Sequence, residues 1–596
     1  MMNLKDNAAA PSRTTVRIPT ASGDELEAWL YLPEGARVSR LLLAWPPQPR
    51  ASDALPPGTI SHDWNYPPIF RKCDPMMAPR EIELKLEIPA EGLRKLERSE
   101  LLRGNHLPRK GAELVSVYFD TRRLKLRKKS VSLRVRHMDG RHLQTVKRNE
   151  PGNGAALSRN EWETEIGGKN PDFEAARGTA LEPLLTGKVR RALKPIFETR
   201  VRRNVYPVRY DDSDIELSID EGRIDAGRRS SSLCEVELEL KRGKSPALFR
   251  LAHQLAKNVP AMLGVKSKAD RGYELLIGEA SRPVKAFLVD LTPKRSAHAA
   301  FQSIARACLH QLCANTGPLR AGDAEGLHQA RVSIRRLRAA ISLFSTMLHD
   351  KQTDRIKREL KWLTGEFGPA READVFMERA VKPVLEADDK AHGVSKLRDD
   401  VQERRNAEFA RARSAVDAAR FRALALDVAT WIETGDWMHS DDARKDLSGK
   451  ATIVETAAEQ LNRHWKKLVK RGKNLDVLST RQRHKLRIAA KKLRYASEFF
   501  SGVFPGKKAA RRRKRFIAGL KELQACLGDL NDIVLNQRIS ASLVSSATTG
   551  ECDNAAAWKV FAAGRLCGRE EARFSSVMKT ATRAHKVFAG AKRFWN

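Results

Sequence analysis

Two stretches of the chain set ionisable side chains at the two-residue spacing that puts them on one face of an extended strand. In Glu81-Ile-Glu83-Leu-Lys85 two carboxylates and an ammonium share a face. In Cys234-Glu235-Val-Glu237-Leu-Glu239 the row is acidic, and Asp220 closes the run before it. Adjacent carboxylates repel, and one lysine cannot neutralise two, so such a face calls for a metal cation together with an anion. Oxygen donors without a His or Cys cluster favour Mg2+ or Mn2+ over Zn2+. A cationic set with similar spacing opposes them: Arg134 and Arg136, Lys147, Arg159, Arg203, and Lys268 with Arg271. Forked guanidiniums match phosphate oxygens in two-point contacts, and lysine acts as a compact charge. Acids on one side and bases on the other suit a metal–oligophosphate complex. The competing explanation is a solvated face laced with cross-strand ion pairs. Agreement among several strands of one segment favours the complex.

A second constellation lies further on. His328, Arg331, Arg335 and Arg338 stand at i, i+3, i+7 and i+10, one face of a helix, beside an apolar stripe of Leu327, Ala330, Ile334 and Leu337. The pattern returns 484 − 328 = 156 residues later as His484, Arg487, Lys491 and Arg494 beside Leu486, Ala490 and Leu493. A single basic row is usually a solvated helix face. Two rows with histidine in the same phase favour an anionic ligand, with the histidines donating hydrogen bonds when protonated. Each copy is followed by an acidic element, Gly368 to Val375 with Asp374, and Gly528 to Ile533 with Asp532, whose aspartates are expected to orient the bases.

These residues need elements to hold them. From Arg80 to about Gly278 apolar residues alternate with charged ones at Glu81–Ile88, Glu113–Phe119, Val131–Val135, His142–Val146, Trp162–Ile166, Ile215–Ile219 and Leu233–Leu240. That pattern predicts an antiparallel barrel whose charges point inward and whose apolar wall packs on helices. A one-residue slip in "TRVRR" would exchange Arg202 for Arg203 across the wall. From about Pro293 onward the periodicity is helical, and the repeat predicts two bundles.

Residues 1–75 stand apart. "VRIPTASGDELEAWLYLPEG" resembles the opening strands of an α/β-hydrolase, but no G-x-S-x-G elbow follows. The Pro-rich stretch to Pro68 lacks core residues, so this extension is expected to be partly disordered. Met76-Met77 stands just before the first motif as a second candidate start.

A chain of 596 residues asks for several domains, and 110 Lys and Arg against 73 Asp and Glu give a net +37, which calls for a polyanionic partner. Aromatic residues make up only 6%, thin for base stacking, so nucleic acid is the rival polyanion rather than the first choice. Seven scattered cysteines without CxxC spacing suggest neither a disulfide framework nor a zinc site. No apolar run approaches the roughly 20 residues of a membrane span. The expectation is a cytoplasmic protein without a membrane partner, and nothing in the sequence specifies an oligomeric state.

Residues 78–280 resemble the CYTH superfamily, the triphosphate tunnel metalloenzymes, and particularly its bacterial inorganic triphosphatases. The resemblance rests on "EIELKLEI", "YFDT", "SLRVR", "QTVK", "RNEWE", "IFETRVRR", "IELSIDEGRI", "LCEVELEL" and "KSKADRGYEL", in that order. It implies an α+β protein opening with an eight-stranded antiparallel tunnel, in which Glu81, Glu83, Asp220, Glu235 and Glu237 hold Mg2+ or Mn2+. It also implies that Lys85, Arg134, Arg136, Lys147, Arg203 and Lys268 hold inorganic triphosphate. Lys85 would then act in catalysis with Glu83 or Asp220, either of which is a candidate to activate water. The same superfamily includes adenylate cyclases and thiamine-triphosphate hydrolases, and a non-catalytic phosphate sensor is a further alternative. Residues 293–590 resemble the CHAD module, an all-α domain of two pseudo-symmetric bundles. The resemblance implies that His328, Arg331, Arg335, Arg338, His484, Arg487, Lys491 and Arg494 line a basic groove for inorganic polyphosphate, with association to polyphosphate granules as a consequence.

Overall fold

The computed structural model describes residues 12–19, 25–32, 80–103, 109–148, 156–278, 282–387, 392–439, 452–547 and 554–596. The chain divides into two compact units, Met1–Lys72 and Cys73–Asn596. In the first, β1 (Ser12–Pro19) and β2 (Glu25–Leu32) pair as an antiparallel hairpin. The Pro-rich stretch and Met76-Met77 lie outside the described residues.

The second unit opens with β3 (Arg80–Glu87), β4 (Arg109–Thr121), β5 (Val131–Met138), β6 (Arg141–Arg148) and β7 (Ala156–Ile166). It continues through β8 (Leu193–Tyr210), β9 (Ser213–Ala226), β10 (Arg229–Arg242) and the two-residue β11 (Met262–Leu263). They form one nine-stranded antiparallel sheet in the order β10-β9-β8-β4-β5-β6-β7-β3-β11, and β10 pairs with β3 as well. Nine strands rather than the expected eight arise because β11 adds to β3 at Leu86 and Glu87, beyond the residues that β7 covers. The 18-residue β8, absent from the strands anticipated by alternation, lies between β4 and β9.

Alternation divides this sheet as the sequence suggests. Leu84, Leu86, Leu217, Ile219, Val236 and Leu238 point to a common apolar core that includes Leu248, Phe249, Leu251 and Leu255 of α1 (Ser245–Asn258). The other face is charged. Helix α2 (Lys268–Ile277) is started by a capping box in which Ser267 and Asp270 exchange hydrogen bonds. Gly272 sits against Phe197, where a Cβ would come within 2.1 Å of the ring. That close approach lets α2 bring Lys268 in over the sheet.

The rest is helical: α3 (Ala297–Ala314), α4 (Ala324–Leu343), α5 (Lys351–Phe376), α6 (His392–Asp417), α7 (Ala419–Thr434), α8 (Ile453–Arg471), α9 (Thr480–Phe499), α10 (Lys507–Ala547) and α11 (Asn554–Ala589). Leu327, Ala330, Ile334 and Leu337 of α4, and Leu486, Ala490 and Leu493 of α9, are buried as their stripes require. The two repeat helices meet reciprocally. Arg336 bonds Glu498 at 2.9 Å and Lys492 bonds Ser342 at 3.1 Å. Since 336 + 156 = 492 and 342 + 156 = 498, these are the same two positions with the copies exchanged, the signature of a two-fold relation. Sheet and helices share one core, and His253 of α1 lies 3.0 Å from Thr430 of α7. Among the described residues no helix is long and apolar enough to cross a membrane.

Candidate functional site

Cross-strand pairing explains how distant sequence segments meet. Register places Lys85 opposite Glu237, Glu235 opposite Asp220, and Asp220 opposite Arg203. Partners in register lie on the same face. Lys85 donates to Glu235 at 2.8 Å and Glu237 at 2.6 Å, with Glu83 at 3.9 Å. Lys268 reaches Asp220 at 2.7 Å, Glu237 at 2.8 Å and also Glu235. Arg203 grips Asp220 with both arms at 2.7 and 2.6 Å and reaches Glu237 too. The register resolves the arginine pair: Arg203 faces the cluster, while Arg202 is exposed on Glu221.

Across the same face lies a second group. Arg134 is 3.5 Å from Glu161 and 3.9 Å from Glu163, and Lys147 is paired with Glu161. Arg136 touches Ser116 at 3.4 Å. Glu161 and Glu163 were not among the anticipated site residues, although Glu161-Trp-Glu163 repeats the two-residue signal. The strand was expected to begin only at Trp162, one residue past the first acid, whereas β7 starts at Ala156. The side chains of Glu81 and Arg159 lie outside the described residues. Their backbones are paired with each other in β3 and β7.

The electrostatics follow from burial opposed by partners. Burial alone would raise the Asp220 carboxyl, but Lys268 and Arg203 hold it below its ordinary range. Glu237, similarly buried, is held well below by Lys268, Lys85 and Arg203. Burial would lower Lys85, yet Glu235, Glu237 and Glu83 push it up. Arg136 is the exception. Burial, then the neighbouring Arg134 and Arg203, bring it down to about 10.

Asp220, Glu235 and Glu237 each offer an oxygen, all within 4.8 Å of one another. Glu235 is fully buried, and among the described residues its Oε2 accepts no hydrogen bond, with Arg271 Nη1 at 3.8 Å. A buried carboxylate oxygen without a partner fits a hard divalent cation, because leaving it bare is costly.

In the helical half a groove of about 900 Å3 is lined by Arg331, Arg335, Arg338, His484, Arg487 and Lys491, among others. Buried nitrogens of Arg331, Arg335 and Arg487 find no hydrogen-bond partner among the described residues. Burial and neighbouring arginines bring Arg331 down to about 10 and Lys491 down to about 7. His484 Nδ1 lies 3.0 Å from Asn531 Oδ1. Two anticipated residues are absent from the lining. Arg494 is paired with Glu498 at 2.8 Å. His328 is pushed down to about 4 by burial and then by Arg371, so it is neutral where a protonated donor was expected. Asp374 binds Arg371 and Arg405 rather than groove bases, whereas Asp532 binds Arg379 and lies beside Arg487 and Lys491.

Two family models match this chain. The CYTH domain model matches residues 79–273 and the CHAD domain model residues 303–540. The chain carries a CYTH domain followed by a CHAD domain. It is similar to the inorganic triphosphatase of Haemophilus influenzae, 32% identical over 213 residues. The match covers 35% of this chain and only 57% of that protein's length. Among solved structures, the CHAD domain of the plant Ricinus communis is 26% identical with a TM-score of 0.44, covering 51% of this chain and 96% of that one. A putative adenylyl cyclase from Hippeastrum, described as having a dominant triphosphatase activity, is 20% identical with a TM-score of 0.27, covering 33% and 95%.

Proposed function

We propose that the CYTH half hydrolyses inorganic triphosphate to diphosphate and phosphate with Mg2+ or Mn2+, and that the CHAD half binds inorganic polyphosphate. The observation that carries the first reading is the meeting of Asp220, Glu235 and Glu237 with Lys85, Lys268 and Arg203 on one buried face, with Glu235 Oε2 accepting no hydrogen bond among the described residues. The similarity to a triphosphatase supports the same class of substrate.

Asp220, Glu235 and Glu237, with Glu81 and Glu83, would hold the metal. When bound it neutralises phosphate oxygens that would otherwise repel a nucleophile. Lys85, Lys268 and Arg203 then turn from their carboxylates to phosphate oxygens, and Arg134, Arg136 and Lys147 hold the rest of the chain. Positioning and charge stabilisation supply most of the rate. A water oxygen bonds to the terminal phosphorus while the anhydride P–O bond breaks, and diphosphate leaves with the electron pair. Of the two candidate bases, Glu83 is the better placed to take the water proton, because its side chain is partly exposed whereas Asp220 is fully buried. The test is a substrate panel on the full chain: tripolyphosphate, ATP and thiamine triphosphate, each with Mg2+ and Mn2+. Release from tripolyphosphate in preference to the other two supports the reading. Cyclic AMP formation from ATP or preference for thiamine triphosphate overturns it.

For the CHAD half, the supporting observation is a groove of cations in which buried nitrogens of Arg331, Arg335 and Arg487 find no hydrogen-bond partner among the described residues. Polyphosphate would also bring the protein to granules in the cytoplasm. Granule association unchanged after replacing Arg331, Arg335, Arg487 and Lys491 by Glu removes that consequence.

A further inference from the structure

Helix α10 begins with a charge pattern that opposes its own formation. Seven of its first nine residues, Lys507 to Arg515, are cations, and its first turn has no acidic residue. The helix dipole is positive at this end and disfavours them. Lys507 and Arg511, Lys508 and Arg512, and Arg511 and Arg515 also stand four residues apart, where like charges repel. Such a local conflict marks a position shaped by something other than helix stability.

The fold gathers these cations into a site. Lys507, Lys508, Arg511, Arg512, Arg515 and Lys592 line a cavity of about 610 Å3, and among the described residues no acidic side chain lines it. Its floor is Phe516, buried and set edge-on to Phe594 and Trp595 with ring centroids at 5.8 and 5.1 Å. Arg512 donates to the main-chain oxygen of Asn596 at 3.2 Å. Among the described residues, none of the six cations has a side-chain carboxylate partner.

We infer that this cavity is a second polyphosphate site, separate from the groove. From Arg512 to Asn531, which lines the groove, the chain climbs 19 residues of α10, roughly 28 Å at about 1.5 Å per residue. A phosphate chain shorter than that rise cannot reach both places at once. A chain of phosphates without bases fits better than single-stranded nucleic acid, because the one aromatic ring among the described lining residues, Phe516, is fully buried and offers no face for stacking. An incoming anion would satisfy both the clustered cations and the helix terminus.

The inference takes its ligand class from the reading of the CHAD half, but the two sites can fail separately. The test compares three full-length chains: wild type, the combined variant Lys507→Gln, Lys508→Gln, Arg511→Gln and Arg512→Gln, and the groove variant Arg335→Gln with Arg487→Gln. Each is titrated with long-chain polyphosphate and with duplex DNA over a salt series. The cavity variant is expected to bind long-chain polyphosphate at least about tenfold more weakly at about 0.15 M salt. Its log–log salt slope should be shallower by roughly 3, at about 0.7 per lost phosphate contact as for single-stranded polyanions. Its Tm should be no lower than that of wild type, since opposing charges have been removed. If it loses its cooperative melt, Lys507→Gln with Lys508→Gln alone is used, with half the slope change expected. Unchanged long-chain affinity and slope overturn the inference and leave the groove reading intact. Loss in the cavity variant but not in the groove variant leaves the inference standing and removes the groove reading. Loss of DNA binding with polyphosphate binding retained assigns the cavity to nucleic acid and overturns the inference.

Discussion

The charged face of the sheet and the groove between the repeat helices are both rich in lysine and arginine, yet they balance their charge differently. In the sheet, Lys85, Lys268, Arg203, Arg134 and Lys147 each rest on a carboxylate. In the groove, Arg331, Arg335 and Arg487 keep buried nitrogens with no hydrogen-bond partner among the described residues, and Lys491 is depressed to about 7. A site of matched charges can take a ligand of both signs, a metal with its phosphate, by exchanging internal pairs for external ones. A site of unmatched cations suits a bare polyanion, whose binding relieves repulsion already present. The contrast predicts different responses to mutation, salt and pH.

The largest effect is expected where removing one charge strands several others. Glu237→Gln takes a partner from Lys85, Lys268 and Arg203 together. Tripolyphosphate hydrolysis should fall by at least about 10²–10³-fold. Stability should fall by about 3 kcal/mol, as when buried ion pairs are broken from one side. Steady-state kinetics and thermal melts check both, and wild-type turnover in this variant would break the comparison on the sheet side. In the groove, Arg335→Gln with Arg487→Gln should weaken polyphosphate binding roughly 10- to 100-fold, at about 1.5–3 kcal/mol for charged hydrogen bonds. The same variant should leave tripolyphosphate turnover unchanged.

A smaller effect concerns pH. Lys491 ordinarily titrates at 10.5 but is brought down to about 7 in the free fold, by burial and then by Arg487 and Arg335. Between those values the unfolded chain holds a proton that the fold lacks, so this group makes stability rise with pH across that window. Bound polyphosphate favours the charged form. Affinity should therefore decline as pH rises above about 7, by at most about tenfold per unit. Lys491→Arg, charged throughout, should flatten the decline in a binding titration from about pH 6 to 9. The smallest effect sharpens the one exception in the sheet. Arg136, brought down to about 10 by burial and its arginine neighbours, has no carboxylate within ion-pair reach among the described residues. Arg136→Gln should raise stability by on the order of 1 kcal/mol while raising KM for tripolyphosphate several-fold.

How much of this could be read from the sequence depended on whether the signal was local. Alternation located Glu83, Lys85, Asp220, Glu235 and Glu237 on strand faces, because the period of two is a property of the backbone. It could not choose Arg203 over Arg202, which required the register of β8 against β9. Glu161 falls just outside the alternating run Trp162–Ile166, whereas β7 begins at Ala156 and includes it. In the helices, the phase of Arg331, Arg335, Arg487 and Lys491 was legible from 3.6-residue periodicity. The burial of His328 was not, since it depends on which helix packs beside it. The Arg494–Glu498 pair was legible in principle as an i, i+4 contact, and reading the row only as a ligand surface obscured it. The cations of α10 look like an ordinary solvated run until the fold shows where the helix begins and brings Lys592 beside them.

The account rests most directly on the exchange of internal ion pairs for metal and phosphate on the sheet. Phosphate release from tripolyphosphate, measured on the full chain with Mg2+ or Mn2+, with a chelator, and in Glu235→Gln, tests that exchange. The account predicts release that needs the metal and falls by at least about 10²-fold in the variant. Equal release in the chelator, or undiminished release by Glu235→Gln, would contradict it.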